Sequence, residues 1–189
     1  MGENKKRLLA GEWYLPDDEE LAAAARRGME LCREFNDGAD RGERLRVLGE
    51  LLGSMGRDVR IRPPFHCDFG SNISIGDRTF VNFNAVFLDA GPITVGADVQ
   101  IGPNVQLLTP HHELDAERRR AGWEKAIPVT IGDNVWLGGG AIVCPGVTIG
   151  ADTVVGAGSV VTKDLPAGVL AVGNPARVIR TLEPKPPGD

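Results

Sequence analysis

The 189-residue sequence predicts a mainly β fold: a parallel coil of very short strands carrying a small helical head. Two observations carry this prediction. Apolar residues return every six positions in three blocks: Ile75, Val81, Phe87; then Val95, Ile101, Leu107; then Ile131, Leu137, Val143, Ile149, Val155, Val161. Two positions before each stands another small or aliphatic residue, from Ile73, Thr79 and Ala85 to Val147, Thr153 and Ser159. Residues i−2 and i share one side of an extended segment. A turn every six residues then redirects the chain, and three such segments close a triangular coil. Coils stack about 4.8 Å apart through backbone hydrogen bonds. A β-sandwich would turn about every 8 to 12 residues, which a sustained period of six does not fit.

The composition agrees. There are 25 glycines and 13 prolines against 5% aromatics, as a coil of tight turns requires. Glycine follows the strand residue repeatedly, as at Gly76, Gly96, Gly102, Gly132, Gly138, Gly150 and Gly156, and a glycine or an Asn/Asp at the turn tolerates the required backbone angles.

The head comes first along the chain. Asp17-Asp18-Glu19-Glu20 places negative charge where a helix dipole favours it, and Leu21, Ala24, Ala25, Gly28, Leu31, Cys32 and Phe35 follow a helical period, predicting a helix over 17–35. Asn36-Asp37-Gly38 ends it. Asp40 and Glu43 form a capping box for a second helix over 41–54, with Leu45, Leu48, Leu51, Leu52 and Met55 on one face. The expected organisation is a helical segment 1–56, a coil 57–182 and a tail 183–189.

Bulk properties exclude several classes. A net charge of −5 does not suit a general nucleic-acid binder. No apolar run approaches the roughly 20 residues of a membrane span. The start, "MGENKKRLLAGEW", lacks the apolar core of a secretory signal, so a cytoplasmic protein is expected. Cys32, Cys67 and Cys144 are odd in number and scattered, which suits reduced thiols, and no metal-type spacing of cysteines is present.

The repeat breaks once. Between Leu107 and Ile131 the alternation vanishes, and "PHHELDAERRRAGWEK" holds too many charges for a dry interior. It is expected to leave the coil as a loop over about 108–128, and a loop on a rigid scaffold is the usual carrier of catalytic groups. The loop holds His111 and His112, two of the three histidines. In extended chain these neighbours point opposite ways, so one of them serves a site.

Several stretches together resemble the maltose/galactoside O-acetyltransferase branch of the hexapeptide-repeat acyltransferases, with nodulation-type acetyltransferases close by. They are "LLAGEWY" before an acidic helix, "FHCDFGSNISIG", "FVNFNAVFLDAG", "PHHELDAERRRAGWEKAIPVTIG", "NVWLGGG" and "AVGNPARVIR". The resemblance covers roughly residues 8 to 182. It implies a left-handed parallel β-helix; general chirality rules alone favour the opposite hand. It also implies transfer of an acetyl group from acetyl-CoA to a sugar hydroxyl, with no metal. His112, in "His112-Glu113-Leu114-Asp115", takes the position of the catalytic base; His111 is the second choice. An imidazole takes the hydroxyl proton as the oxygen attacks the thioester, a glycine-rich backbone N–H steadies the oxyanion, and CoA leaves as thiolate. Direct transfer needs no covalent enzyme intermediate, so Cys67 and Cys144 are spectators, Cys144 as a small buried residue.

For the acceptor the resemblance implies Asn82, Asp68 and Asp17. Asp17 competes with Asp18 beside it and with a plain capping role, and Asn82 with a turn role. Ala90 replaces a second acidic residue found in some relatives, so sugar preference differs. For acetyl-CoA it implies Gly102, Gly139, Ala157 and Thr162 along the pantetheine arm, Trp136 as a flat wall, and Lys163, Arg177 and Arg180 for the phosphates. Lys163 and the arginines also read as solvated cations, and "NPAR" as the chain exit. Relatives imply a homotrimer with active sites between subunits, His112 from one chain facing Asn82 and Asp68 of its neighbour.

Other classes fit less well. A γ-type carbonic anhydrase needs three histidine ligands, and His66 with the adjacent His111 and His112 suits that geometry poorly. A non-catalytic scaffold predicts no acetyl-CoA binding. A serine acetyltransferase needs a larger helical head. An antibiotic O-acetyltransferase remains the alternative, because its loop also carries a histidine.

Overall fold

The computed structural model describes residues 2–183; the expected tail lies outside these beyond Glu183. Three helices form the head: α1 (Glu3–Leu9), α2 (Glu19–Asp37) and α3 (Arg41–Leu51). The basic start of the chain gave no sign of α1. α2 begins later than expected because Asp18, not Asp17, caps it, its carboxylate accepting the Glu20 N–H at 3.0 Å. It buries Leu21, Gly28, Leu31, Cys32 and Phe35, the stripe that its period predicts. The Asp40–Glu43 box forms, with the Glu43 N–H 3.0 Å from Asp40 and the Ala39 N–H 2.9 Å from Glu43. α3 stops at Leu51 because the chain is already extended at Ser54, and its buried face uses Val47 where Leu45 was expected.

The coil begins at once. Its first turn comprises β1 (Ser54–Met55), β2 (Arg60–Ile61) and β3 (Phe65–Cys67). The second comprises β4 (Ile73–Ile75), β5 (Phe80–Val81) and β6 (Ala85–Leu88), and the third β7 (Ile93–Val95), β8 (Gln100–Ile101) and β9 (Gln106–Leu108). The chain then leaves as a hairpin, β10 (Pro110–His112) and β11 (Glu124–Ala126), with α4 (Ala116–Arg120) at its tip. It returns for β12 (Val129–Ile131), β13 (Trp136–Leu137) and β14 (Ile142–Val143), then β15 (Thr148–Ile149), β16 (Val154–Val155) and β17 (Val160–Val161). β18 (Val169–Val172) adds to the second face, and β19 (Arg177–Thr181) folds back antiparallel over it.

Three parallel faces result. The first stacks β1, β4, β7, β12 and β15; the second β2, β5, β8, β13, β16 and β18; the third β3, β6, β9, β14 and β17. Register follows the repeat: Ile75, Val95, Ile131 and Ile149 stack in one column, and Phe87, Leu107, Val143 and Val161 in another. Every residue of the six-residue period and every partner two positions before it is buried. The hydroxyls among them are satisfied: Thr79 donates to Gly96 O at 2.8 Å and accepts from Val99 N at 3.1 Å, and Thr153 donates to Pro166 O at 2.7 Å.

Two readings need correction. The sequence reading starts the coil at 57 but names its period only from Ile73; Val59, Ile61, Phe65 and Cys67 already carry the same spacing, and the coil begins at Ser54. Glycine after a strand is also needed for a different reason than turn angles. Positive φ falls on later turn residues, such as Asp98, Asn104, Asn134, Asp152, Gly140 and Gly158. The strand-end glycines instead let successive coils touch: a Cβ on Gly132 would lie 2.6 Å from Ala151 N, and one on Gly138 2.5 Å from Ala157 N.

Candidate active site

The excursion is more ordered than a loop. Asp115 caps α4 by accepting the Arg118 N–H at 2.9 Å, and Gly122, at φ +87°, turns the chain back. Pro110 then pairs with Ala126, His111 with Lys125 and His112 with Glu124. Alternation along β10 separates the histidines. His111 turns to Trp13, ring centroids 5.8 Å apart, and the Arg118 guanidinium lies over both Trp13 and Trp123. This stack accounts for part of the charged run that kept the segment out of the coil. His112 turns the other way, into a cavity.

The head reaches over to form this cavity. Tyr14 pairs with Glu124 through both backbones, at 2.9 and 3.0 Å, and its phenol donates to Glu124 Oε1. Tyr14 is only 2% exposed. The other carboxylate oxygen, Glu124 Oε2, lies 3.8 Å from His112 Nδ1. One carboxylate thus faces a buried phenol on one side and the imidazole on the other.

Asp68 joins from the coil, at the corner where the third face passes to the first. Together Tyr14, Asp68, Ala90, His112 and Glu124, with the apolar edge of α2, line a cavity of about 340 Å³. Burial, then the charges of Asp89 and Glu124, push the Asp68 carboxyl up to about 6. Asp89 is itself fully buried and builds the corner, accepting N–H groups from Asp68, Phe69 and Asn72 at 3.0, 2.8 and 3.2 Å. Burial raises its pKa while these bonds pull it back. Ala90 is where the sequence reading marked the loss of an acidic residue.

The remaining candidates lie elsewhere. Asp17 accepts from Asn4 at 2.7 Å and does not line the cavity, whereas its neighbour Pro16 does. Asn82 sits at the corner between the second and third faces, its side-chain oxygen taken by the Phe83 N–H at 2.9 Å. Within one chain, Asn82 therefore lies apart from Asp68, which lines the same cavity as His112. Gly102, Gly139 and Ala157 belong to the Asn82 corner, stacked so closely that a Cβ on Gly102 would lie 2.6 Å from Gly139 N. Trp136 stands on the adjoining second face, 55% exposed. Thr162 and Lys163 are exposed after β17, and Arg177 and Arg180 lie on β19. His66 borders a different depression, and among the described residues no group of three or more His, Cys, Asp or Glu is placed to hold a metal ion.

The sequence reading missed Tyr14 and Glu124 as site residues. Tyr14 was visible only as part of "GEWY", and no local pattern joins it to a glutamate 110 positions away.

Comparison with known proteins decides the family. Residues 7–56 match the maltose acetyltransferase hexapeptide capping motif, and residues 128–163 the bacterial transferase hexapeptide repeats. Nodulation protein L of Rhizobium meliloti is 48% identical over 176 residues, covering 92% of this chain and 96% of its own. The crystal structure of a maltose O-acetyltransferase from Clostridium difficile superposes with a TM-score of 0.94 at 43% identity, covering 96% and 98% of the two chains. This chain is a member of the maltose/galactoside O-acetyltransferase family. Two further structures of the family carry a donor or its product. A hexapeptide-repeat acetyltransferase from Vibrio cholerae, complexed with acetyl-CoA, matches with a TM-score of 0.91 at 42% identity, covering 97% of this chain and 100% of that one. A galactoside acetyltransferase in complex with coenzyme A matches with a TM-score of 0.93 at 38% identity, covering 97% and 92%. The acetyltransferase described here shares their β-helix, and no helix among its described residues is long and apolar enough to cross a membrane.

Proposed function

We propose that this acetyltransferase moves an acetyl group from acetyl-CoA to a hydroxyl of a sugar of the maltose, glucose or galactoside kind, by direct transfer with His112 as general base. One observation carries the reading: the ring that the hairpin extrudes shares a cavity with Asp68 and has a carboxylate beside Nδ1. A proton on Nδ1, facing Glu124, leaves the lone pair of Nε2 to take the acceptor's proton as its oxygen attacks the acetyl carbonyl. Asp68, half-buried beside the carboxylates of Asp89 and Glu124, is suited to a sugar hydroxyl as donor or acceptor according to its protonation. The acetyl oxygen becomes an oxyanion that a backbone N–H receives, and CoA departs as thiolate.

The donor runs along the corner of Gly102, Gly139 and Ala157, with Trp136 beside it and Thr162, Lys163, Arg177 and Arg180 toward its phosphates. This corner also carries Asn82, away from His112. The two halves of the reaction meet if a neighbouring copy brings its Asn82 corner to this chain's His112 cavity, as a homotrimer would. A sedimentation mass of three chains is expected, and a stable single chain at assay concentration contradicts the shared site.

The decisive assay measures CoA release against a panel of sugars and antibiotics. A sugar is expected to support turnover. His112→Ala is expected to keep donor binding by calorimetry and to lose at least about 10²-fold in turnover. Unchanged turnover in that variant removes His112 from the chemistry, and turnover with an antibiotic alone replaces the acceptor.

A further inference from the structure

Cys32 and Cys67 approach with their sulfurs 3.2 Å apart, one on α2 and the other at the end of β3. Both are free thiols. Their meeting is set by the backbones. Four residues before Cys32, Gly28 presses α2 onto the coil so closely that a Cβ there would lie 2.4 Å from Asp68 O. Four residues after it, Asn36 grips Phe65 twice, donating to its carbonyl at 3.0 Å and accepting its N–H at 2.8 Å. Residues four apart share one helix face, so these two contacts bracket Cys32 and hold it above Cys67. A disulfide bond needs about 2.05 Å between sulfurs, which a small rotation of two side chains supplies.

The pair is reachable. A depression of about 340 Å³, lined by Met29, Cys32, Arg33, Asn36, His66 and Cys67 among others, opens onto it from solvent. We propose that Cys32 and Cys67 form an oxidative modification site, closed to an intramolecular disulfide by a peroxide, which staples α2 to the first coil. The thiolate of Cys32 attacks the peroxide: an S–O bond forms, the O–O bond breaks, and the hydroxide released takes up the proton that the Cys32 thiol gave up and leaves as water. The Cys67 sulfur then attacks the sulfenic sulfur of Cys32: the S–S bond forms, the S–O bond breaks and a second water leaves. The two sulfurs together give up two electrons, and hydrogen peroxide is reduced to two waters. Either sulfur can donate in the contact between them; Cys32 is the attacking partner because the contact with Cys67 holds its pKa below the usual thiol range, whereas the same contact and burial push Cys67 up. Cys144, at a turn of the fourth coil, has no sulfur near it and takes no part.

This site stands apart from the acetyl-transfer reading, and its test does not use activity. Wild-type protein is treated with hydrogen peroxide, unfolded, alkylated with N-ethylmaleimide and mapped by mass spectrometry. The expected result is a crosslink between the Cys32 and Cys67 peptides, an alkylated Cys144, and return of all the thiols on reduction. The oxidised protein is expected to melt at a higher temperature than the reduced one, as a loop closed in the unfolded chain requires. In Cys32→Ser both remaining cysteines are expected to stay alkylatable, with no gain in melting temperature. Alkylation of all the cysteines after peroxide, a bond through Cys144, or Cys32 halted as a sulfinic acid beside a free Cys67 would each overturn the proposal. The mapping is done on wild-type chain, so it holds even if the variant folds poorly.

Discussion

Tyr14 and Glu124 are joined three times, by two backbone hydrogen bonds and by phenol to carboxylate. The first residues after α1 are thereby tied to the returning strand of the hairpin, beside His112. The helical head is part of the site as well as a cover for the end of the coil. Its pull on Glu124 sets which oxygen faces the imidazole.

Tyr14→Phe keeps the ring and removes only the donor. The carboxylate of Glu124 then loses its buried partner, a change that costs about 1–3 kcal/mol. Denaturant unfolding is expected to show that loss, and turnover is expected to fall more than the affinity for acetyl-CoA. Equal stability in the two proteins contradicts the tie.

Asp68 supplies a pH signature. Burial pushes its carboxyl up to about 6 in the folded chain, against about 4 when unfolded. Between those values the folded protein holds the extra proton, so this group's contribution falls as pH rises through that window. Asn carries no titrating proton. Asp68→Asn is therefore expected to raise the melting temperature relative to wild type at about pH 7.5 and to lose that advantage by about pH 4. A pH-independent difference between the two proteins contradicts this.

The glycines separate two roles. Gly132→Ala puts a Cβ 2.6 Å from a backbone nitrogen of the next coil and is expected to destabilise, by about 1–3 kcal/mol or more. Gly49→Ala, on α3 with nothing within 4 Å of the added carbon, is expected to stabilise by about 0.5–1 kcal/mol. Thermal melts of the two variants check both signs.

Trp136 tests the donor path. It is half-exposed on the second face, so Trp136→Ala is expected to change stability by no more than about 0.5 kcal/mol. If it walls the pantetheine arm, KM for acetyl-CoA rises several-fold. An unchanged KM moves the donor elsewhere.

The coil itself was written in the sequence, because a period of six with paired inward residues has one economical folding: each of those residues is buried, in register with the coil above and below. The break at Pro110 was equally legible, since so many charges cannot enter a dry interior, and the opposite facing of His111 and His112 followed from alternation. Three-dimensional packing decided the rest. The first coil lay within the expected coil, but its period was not read because prolines and arginines interrupt it. Asp18 rather than Asp17 caps α2 because a single carboxylate fits the geometry of a helix start. Glu124, Tyr14 and Asp68 meet at His112 only because the head folds back across a corner of the coil. No local spacing encodes contacts between residues so far apart in the chain; they arise where separately determined elements are packed together.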